Sequence, residues 1–224
     1  MASDPDAGIR HSKAAEPIVA RSEDEIAKIE AANALLQTEC VRQLVMTCMD
    51  RKTFKLRPSA VLTLNREAIQ GLSAYAGNWR PGDVVIGKSM HQPPGAHLVP
   101  ELVEELCDYV NDNWATRSAL HLASFVMWRL NWIHPFTDGN GRTSRATSYL
   151  VLCAKEGTWF PGVPTIPDQI TAVRDPYYNA LEAADVAYIA YGKTFDHDVV
   201  ADMESLLGTM LAIQLRAAHE SAKA

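Results

Sequence analysis

Two apolar runs lie close together in the chain, ALHLASFVMWRLNWI at 119–133 and TSRATSYLVLCA at 143–154, and they bracket the polar stretch HPFTDGNGRTSR at 134–145. Both runs repeat apolar residues at helical spacing, and the first is apolar enough for a buried helix. The polar stretch is therefore a loop that feeds a helix start. Around that junction the chain must be helical, and the junction gathers an acid/base candidate, a carboxylate, two glycines and two arginines within twelve residues.

A helix N-terminus offers unpaired backbone N–H groups and the positive end of the peptide dipoles, which together attract phosphate oxygens. Gly139 and Gly141 carry no Cβ, so they can take positive φ and let a polyphosphate approach the main chain. Asn140 tolerates the same geometry. Arg142 and Arg145 stand three apart, on one side of the new helix, and their guanidinium forks suit phosphate oxygens. Asp138 is a hard oxygen ligand of the kind Mg²⁺ uses while sharing phosphates. His134 can take a proton near neutral pH. Phe136 alternates with these polar residues and is expected to point inward and pin the loop.

The stretch closely resembles the signature of the Fic family, His-x-Phe-x-Asp/Glu-Gly-Asn-Gly-Arg-x-x-Arg, with every fixed position present. The resemblance implies a mainly α fold, a helical bundle with a small β-hairpin flap over the active site. It also implies a protein adenylyltransferase that moves AMP from ATP to a Ser, Thr or Tyr hydroxyl of a target protein. In those terms His134 is the general base, Asp138 holds Mg²⁺, and Gly139, Asn140 and Gly141 form the anion hole. Arg142 and Arg145 hold the β and γ phosphates. The kinase-like Doc branch departs from the glycines of this loop, so the intact Gly-Asn-Gly favours nucleotidyl transfer over phosphate transfer.

The resemblance runs over about 74–191. Within it, WRPGDVVIGKS at 79–89 followed by HQPP at 91–94 looks like the family's flap. Locally, Val84 to Ile86 is a short β-rich run, Gly87 permits a turn and Pro93 and Pro94 end ladder pairing, which reads as a small hairpin. In the family this hairpin aligns a target segment by strand addition, so Ile86, Gly87, Lys88, Ser89 and His91 are the expected target-positioning residues. From local sequence alone, a polar connector over 87–94 is an equal reading.

The net charge of −6 and the absence of a Lys/Arg-rich block give no support to nucleic-acid binding. The electropositive site must then be local. With 224 residues and 47% hydrophobic content the chain can bury a substantial core, and one domain over 22–224 is expected, preceded by a mobile tail over 1–21. That tail has no apolar core, so neither a secretory signal nor a membrane span is expected there. Cys40, Cys48, Cys107 and Cys153 are scattered without metal-ligand spacing, which fits reduced thiols and a cytoplasmic location.

Ser22-Glu23-Asp24-Glu25 has the form of an N-cap with an acidic first turn, opening a helix to about Met46. Further helices are expected over 66–76, 100–114, 168–191 and 196–218, with a loop over 158–167. Inhibitory helices in the family carry Ser/Thr-x-x-x-Glu-Gly/Asn, and the chain has no clean copy. Glu16 and Glu30 read as solvated residues, which leaves an antitoxin-like partner or an unregulated enzyme. His121, Trp128 and Trp132 read as packing residues, and Arg174, Tyr177 and Tyr178 as candidates beside the nucleotide base. Alternatives are a different donor (UMP or phosphocholine), removal of AMP from a modified protein, or a nucleotide- or partner-binding module without turnover.

Overall fold

The structure, a computed structural model, describes residues 12–13, 21–87, 89–195 and 198–223, with residues 12–13 described by backbone only. Ser22 opens α1 (Glu23–Arg51) through a capping box. Its Oγ accepts from the Glu25 N–H at 3.3 Å while the Glu25 carboxylate accepts the Ser22 N–H at 2.9 Å. The helix passes Met46 and stops only where Lys52 turns left-handed, because nothing between them breaks a helix.

The second helix lies earlier than its expected place. α2 (Pro58–Ile69) starts on Pro58, whose missing N–H costs nothing at a first turn, and ends before Gly71, which takes φ +74°. Residues 70–76, expected to be helical, form turns instead. α3 (Val99–Asp112), α4 (Ala119–Ile133) and α5 (Asn140–Glu156) follow. The expected helix over 168–191 is two helices, α6 (Ile166–Ala172) and α7 (Asp175–Ala190). Val173 is extended between them, and Pro176 sits in the first turn of α7, where a proline opens a helix but cannot continue one. α8 (Ala201–Ser221) closes the chain.

The centre of the bundle is the pair α4 and α5. Nearly every residue of α4 is buried, including Trp128 and Phe125, as expected of a helix apolar on all sides. α5 buries small hydroxyl residues, Thr143, Ser144, Thr147 and Ser148, beside apolar ones such as Leu150 and Val151. Ser148 Oγ donates to the Ala123 carbonyl of α4 at 2.8 Å, and Thr147 Oγ1 donates within α5 to the Thr143 carbonyl at 2.8 Å, so these two buried hydroxyls are satisfied. α1 and α2 cover one side of α5, and α1 is fixed by buried amides: Gln37 donates to the Leu64 carbonyl at 2.9 Å and Asn33 to the Gln70 carbonyl at 2.9 Å. α7 and α8 pack on each other and on α4.

The strand expected in the flap is present as β2 (Val85–Ile86), and the chain turns after it, with the Ser89 N–H reaching the Ile86 carbonyl at 3.4 Å. Its ladder partner is the N-terminal segment β1 (Ser12–Lys13), antiparallel, with Ser12 opposite Ile86 and Lys13 opposite Val85. The tail expected to be mobile thus supplies a strand. Among the described residues the return arm after Gly87 makes no ladder, because its prolines and polar residues offer little to pair.

Candidate active site

The polar loop connects the C-terminus of α4 to the N-terminus of α5. His134 caps α4 in the left-handed region, φ +52°, and its N–H closes on the Leu130 carbonyl at 2.9 Å. Its ring is buried. Nδ1 lies 3.2 Å from the Asn131 carbonyl, and a carbonyl can only accept, so Nδ1 carries the hydrogen and Nε2 is the acceptor nitrogen. Burial holds its pKa down at about 4, against the partly offsetting bond to Asn131, with His91 and Arg80 adding repulsion. The imidazole is neutral at pH 7 and able to take a proton.

Phe136 is buried as expected and packs beside Trp79, ring centroids 5.3 Å apart. Gly139 is the N-cap of α5 at φ +76°, and a Cβ there would meet Ile69 Cγ2 at 2.7 Å. Gly141 departs from the expectation of positive φ: it lies inside the first turn of α5, and its missing Cβ makes room for the Arg145 guanidinium, 3.1 Å from where that atom would stand. Asn140 is also helical. Its side chain clasps the loop, accepting from the Phe136 N–H at 2.9 Å and donating to the Phe136 carbonyl at 2.8 Å.

Asp138, Gly139, Asn140, Gly141, Arg142 and Arg145 all line a cleft of about 660 Å³, together with His134. Arg145 is largely buried and has no carboxylate partner among the described residues. Desolvation, with Arg142 and Arg174 nearby, pulls its pKa below the usual arginine value. Arg174, singled out from sequence, lines the same cleft at the head of α7. Three guanidinium groups and an open helix end thus face one space in a chain of net charge −6, the arrangement an anion would neutralise.

Arg142 is engaged differently. Its Nη1 donates to Glu30 of α1 at 3.1 Å and its Nη2 to Asp138 at 3.0 Å. Glu30, read from sequence as a solvated residue, is about half exposed but commits its carboxylate to this arginine at the rim of the cleft. Helix periodicity held no sign of that contact, since α1 and α5 meet only in the folded chain.

Of the flap residues, Ile86, Ser89 and His91 line the cleft. His91 Nε2 lies 2.7 Å from the Trp132 carbonyl, which ties the return arm to α4. Gly87 forms the turn away from the lining, and Lys88 lies outside the described residues. Sequence reasoning missed Arg80. Its buried guanidinium donates to the His134 carbonyl at 2.8 Å, to the Gly82 carbonyl at 2.9 Å and to the Pro94 carbonyl, and so joins flap to loop. Asn65 of α2 was also missed; it donates to the Asp138 carbonyl at 3.1 Å and accepts from the Gly77 N–H at 3.0 Å.

The other tempting side chains lie elsewhere or do other work. His121 bonds Glu204 at 2.6 Å and the Tyr109 hydroxyl at 2.9 Å, between α4, α8 and α3. Trp128 donates to Asp185 at 2.8 Å, and Trp132 stacks on the Arg129 guanidinium, 4.2 Å from the ring centroid. Tyr178 lines the cleft. Tyr177 does too, but it is buried, and its hydroxyl accepts from Asn131 at 2.8 Å. Glu16 lies outside the described residues. The four cysteines are free thiols, and burial pushes Cys107 up to about 12.

The model of the Fic/DOC family matches residues 55–152, from just before α2 to within α5. The chain belongs to the Fic/DOC family. This Fic chain is 30% identical over 166 residues to the protein adenylyltransferase Fic of Drosophila willistoni, covering 72% of this chain and 29% of that protein. It is 26% identical over 168 residues to the protein adenylyltransferase fic-1 of Caenorhabditis elegans, covering 74% and 30%. The Fic chain therefore spans less than a third of the length of these relatives. In fold it is similar to a Fic domain containing signaling protein from Bacteroides thetaiotaomicron, with TM-score 0.68 at 21% identity over 87% of this chain and 72% of that one. A Fic family protein from Desulfovibrio desulfuricans gives 0.64 at 23% identity, over 92% and 57%. Among the described residues no helix of the Fic chain is long and apolar enough to cross a membrane.

Proposed function

We propose that this Fic chain is a Mg²⁺-dependent protein adenylyltransferase that moves AMP from ATP to a hydroxyl of a target protein. The observation that carries the reading is Arg145: a largely buried guanidinium without a carboxylate partner among the described residues, beside Arg174 and the open N-terminus of α5, in a cleft that also holds a neutral imidazole. Such a site is complete only with a polyanion in it. The adenylyltransferase names of the relatives point to the same donor.

The triphosphate binds along the α5 N-terminus with Arg145 and Arg142 on its outer phosphates. Asp138, a half-exposed hard oxygen in the same cleft, fits Mg²⁺ by its chemistry and would hold it, and the ion would supply charge neutralisation for the phosphates. His134 Nε2 takes the proton of the acceptor hydroxyl as its oxygen bonds the α phosphorus. The bond from that phosphorus to the β-phosphate oxygen breaks, and pyrophosphate leaves toward the arginines. The residues contribute position and electrostatics rather than a covalent intermediate. The target strand docks along β2, and its hydroxyl enters past Ile86, Ser89 and His91.

The test is intact and peptide mass spectrometry after incubation with Mg²⁺ and ATP, UTP or CTP in turn, with and without cell lysate. An AMP-sized addition from ATP, absent in His134→Ala while that variant still binds ATP, is the expected result. Addition from UTP or CTP alone reassigns the donor, and normal transfer by His134→Ala removes the base assignment. Glu30 favours one second reading, since a carboxylate at the cleft could position water for removal of AMP; release of AMP from a modified protein, lost in Glu30→Ala, would select it.

A further inference from the structure

At the opposite end of α4 from His134, three side chains from three parts of the chain converge. His121 stands in the first turn of α4, Asp198 in the connection between α7 and α8, and Glu204 in the first turn of α8. Their ligand-type atoms, one ring nitrogen and two carboxylate oxygens, all lie within 4.8 Å of one another. His121 Nδ1 is 2.6 Å from Glu204 Oε1 and 3.9 Å from Asp198 Oδ1. The imidazole is buried, while the Glu204 side chain is 25% exposed and that of Asp198 47%. Among the described residues neither carboxylate pairs with a lysine or arginine, so two acids close on one imidazole without a fixed cation to balance them.

We propose that His121 Nδ1, Asp198 and Glu204 bind a Zn²⁺ ion that clamps the α7–α8 connection to α4, away from the cleft. One imidazole nitrogen with two carboxylate oxygens is a donor set that suits Zn²⁺, whereas Mg²⁺ and Ca²⁺ favour shells of oxygen alone. Ligand atoms around a four-coordinate Zn²⁺ stand roughly 3.3 Å apart, and the two observed separations lie on either side of that value. The exposed side of Asp198 leaves the fourth position to water. Tyr109 orients the ring. A carboxylate only accepts, so Nδ1 carries the hydrogen toward Glu204 and Nε2 accepts from the Tyr109 hydroxyl at 2.9 Å. With Zn²⁺ on Nδ1 the ring hydrogen sits on Nε2 and the same Tyr109 oxygen accepts it, which keeps the ring in place. The segment that carries Asp198 is already anchored nearby, because Phe195 meets Tyr109 and Phe125 edge-on and stacks on Tyr188.

The experiment is equilibrium dialysis of the full chain against Zn²⁺, with Mg²⁺ and Ca²⁺ in parallel, read by elemental analysis and accompanied by thermal unfolding. Two conservative variants keep the fold while changing the ligands. Asp198→Asn retains an oxygen for the Val200 N–H, which Asp198 Oδ1 accepts at 3.1 Å, and Glu204→Gln retains one for His121 Nδ1. The expected result is one Zn²⁺ per chain whose affinity falls by roughly 100-fold in either variant and by about tenfold in Tyr109→Phe, which keeps the ring and removes the hydroxyl. Zn²⁺ at a concentration that saturates the unsubstituted chain should raise its unfolding midpoint and leave those of the two ligand variants unmoved. Equal Zn²⁺ content in the unsubstituted chain and both ligand variants puts the ion elsewhere and overturns the proposal. Absence of Zn²⁺ binding does the same and leaves the His121–Glu204 contact a hydrogen bond alone. Binding of Mg²⁺ or Ca²⁺ as tight as that of Zn²⁺ overturns the choice of ion. None of these readouts uses nucleotide transfer, so their failure leaves the transfer reading standing.

Discussion

At His134 the backbone and the ring serve one purpose. The left-handed cap ends α4 so that the ring turns into the cleft, and the Asn131 carbonyl takes the Nδ1 hydrogen. Burial holds the pKa at about 4. The deprotonated form is the active one, so it is fully present above that value and lost as pH falls through it. The pH profile of kcat/KM should therefore stay flat from neutrality to about pH 5, where an ordinary histidine near 6.5 would already be mostly protonated; an acid limb near 6.5 contradicts this assignment. Glu30 acts on the neighbouring arginine. It holds Arg142 at 3.1 Å in competition with any phosphate, and both side chains are partly exposed, Glu30 by about half, so the worth of the pair is modest. Glu30→Ala should tighten ATP binding by roughly two- to fivefold in calorimetry. Unchanged or weaker binding would mean that the contact exerts no restraint.

At the scale of elements, the site depends on two side chains that the sequence does not single out. Arg80 spans the start of the flap, its end at Pro94 and the His134 carbonyl with one guanidinium. A lysine keeps the charge but not the fork, and it cannot serve three carbonyls in those directions. Arg80→Lys should cost about 1–3 kcal/mol in thermal or denaturant unfolding and should raise KM for the target more than for ATP. An equal loss for both substrates would place Arg80 in the loop alone. Asn65 fastens the other end of the loop from α2. The two displaced boundaries have local causes: Pro58 starts α2 early, and the α6–α7 break falls just before Pro176. Both prolines were visible in the chain. The expected start at residue 66 leaves out Pro58, and the expected helix over 168–191 crosses Pro176 although a proline outweighs apolar spacing.

Across the whole molecule, stability should be graded outward from α4 and α5. These helices bury most of their side chains, while β1 and β2 share two pairings at the surface. Hydrogen exchange should show the slowest amides within 119–156 and rapid exchange at 12–13 and 85–86. Equal protection in both would contradict a weak, exchangeable docking edge. The helical class, the span of α4, the Ser22 cap and the loop-to-helix motif were legible in the sequence, because local spacing and local capping dictate them. So were the side chains that the loop sends into the cleft, since a turn and one helical turn fix where neighbouring residues point. Only the tertiary structure decided that Glu30 meets Arg142, that Arg80 and Asn65 brace the loop, and that Ser12–Lys13 pair with Val85–Ile86. Each of those contacts joins residues far apart in the chain, and no local periodicity or propensity encodes which distant surfaces the buried core will bring together.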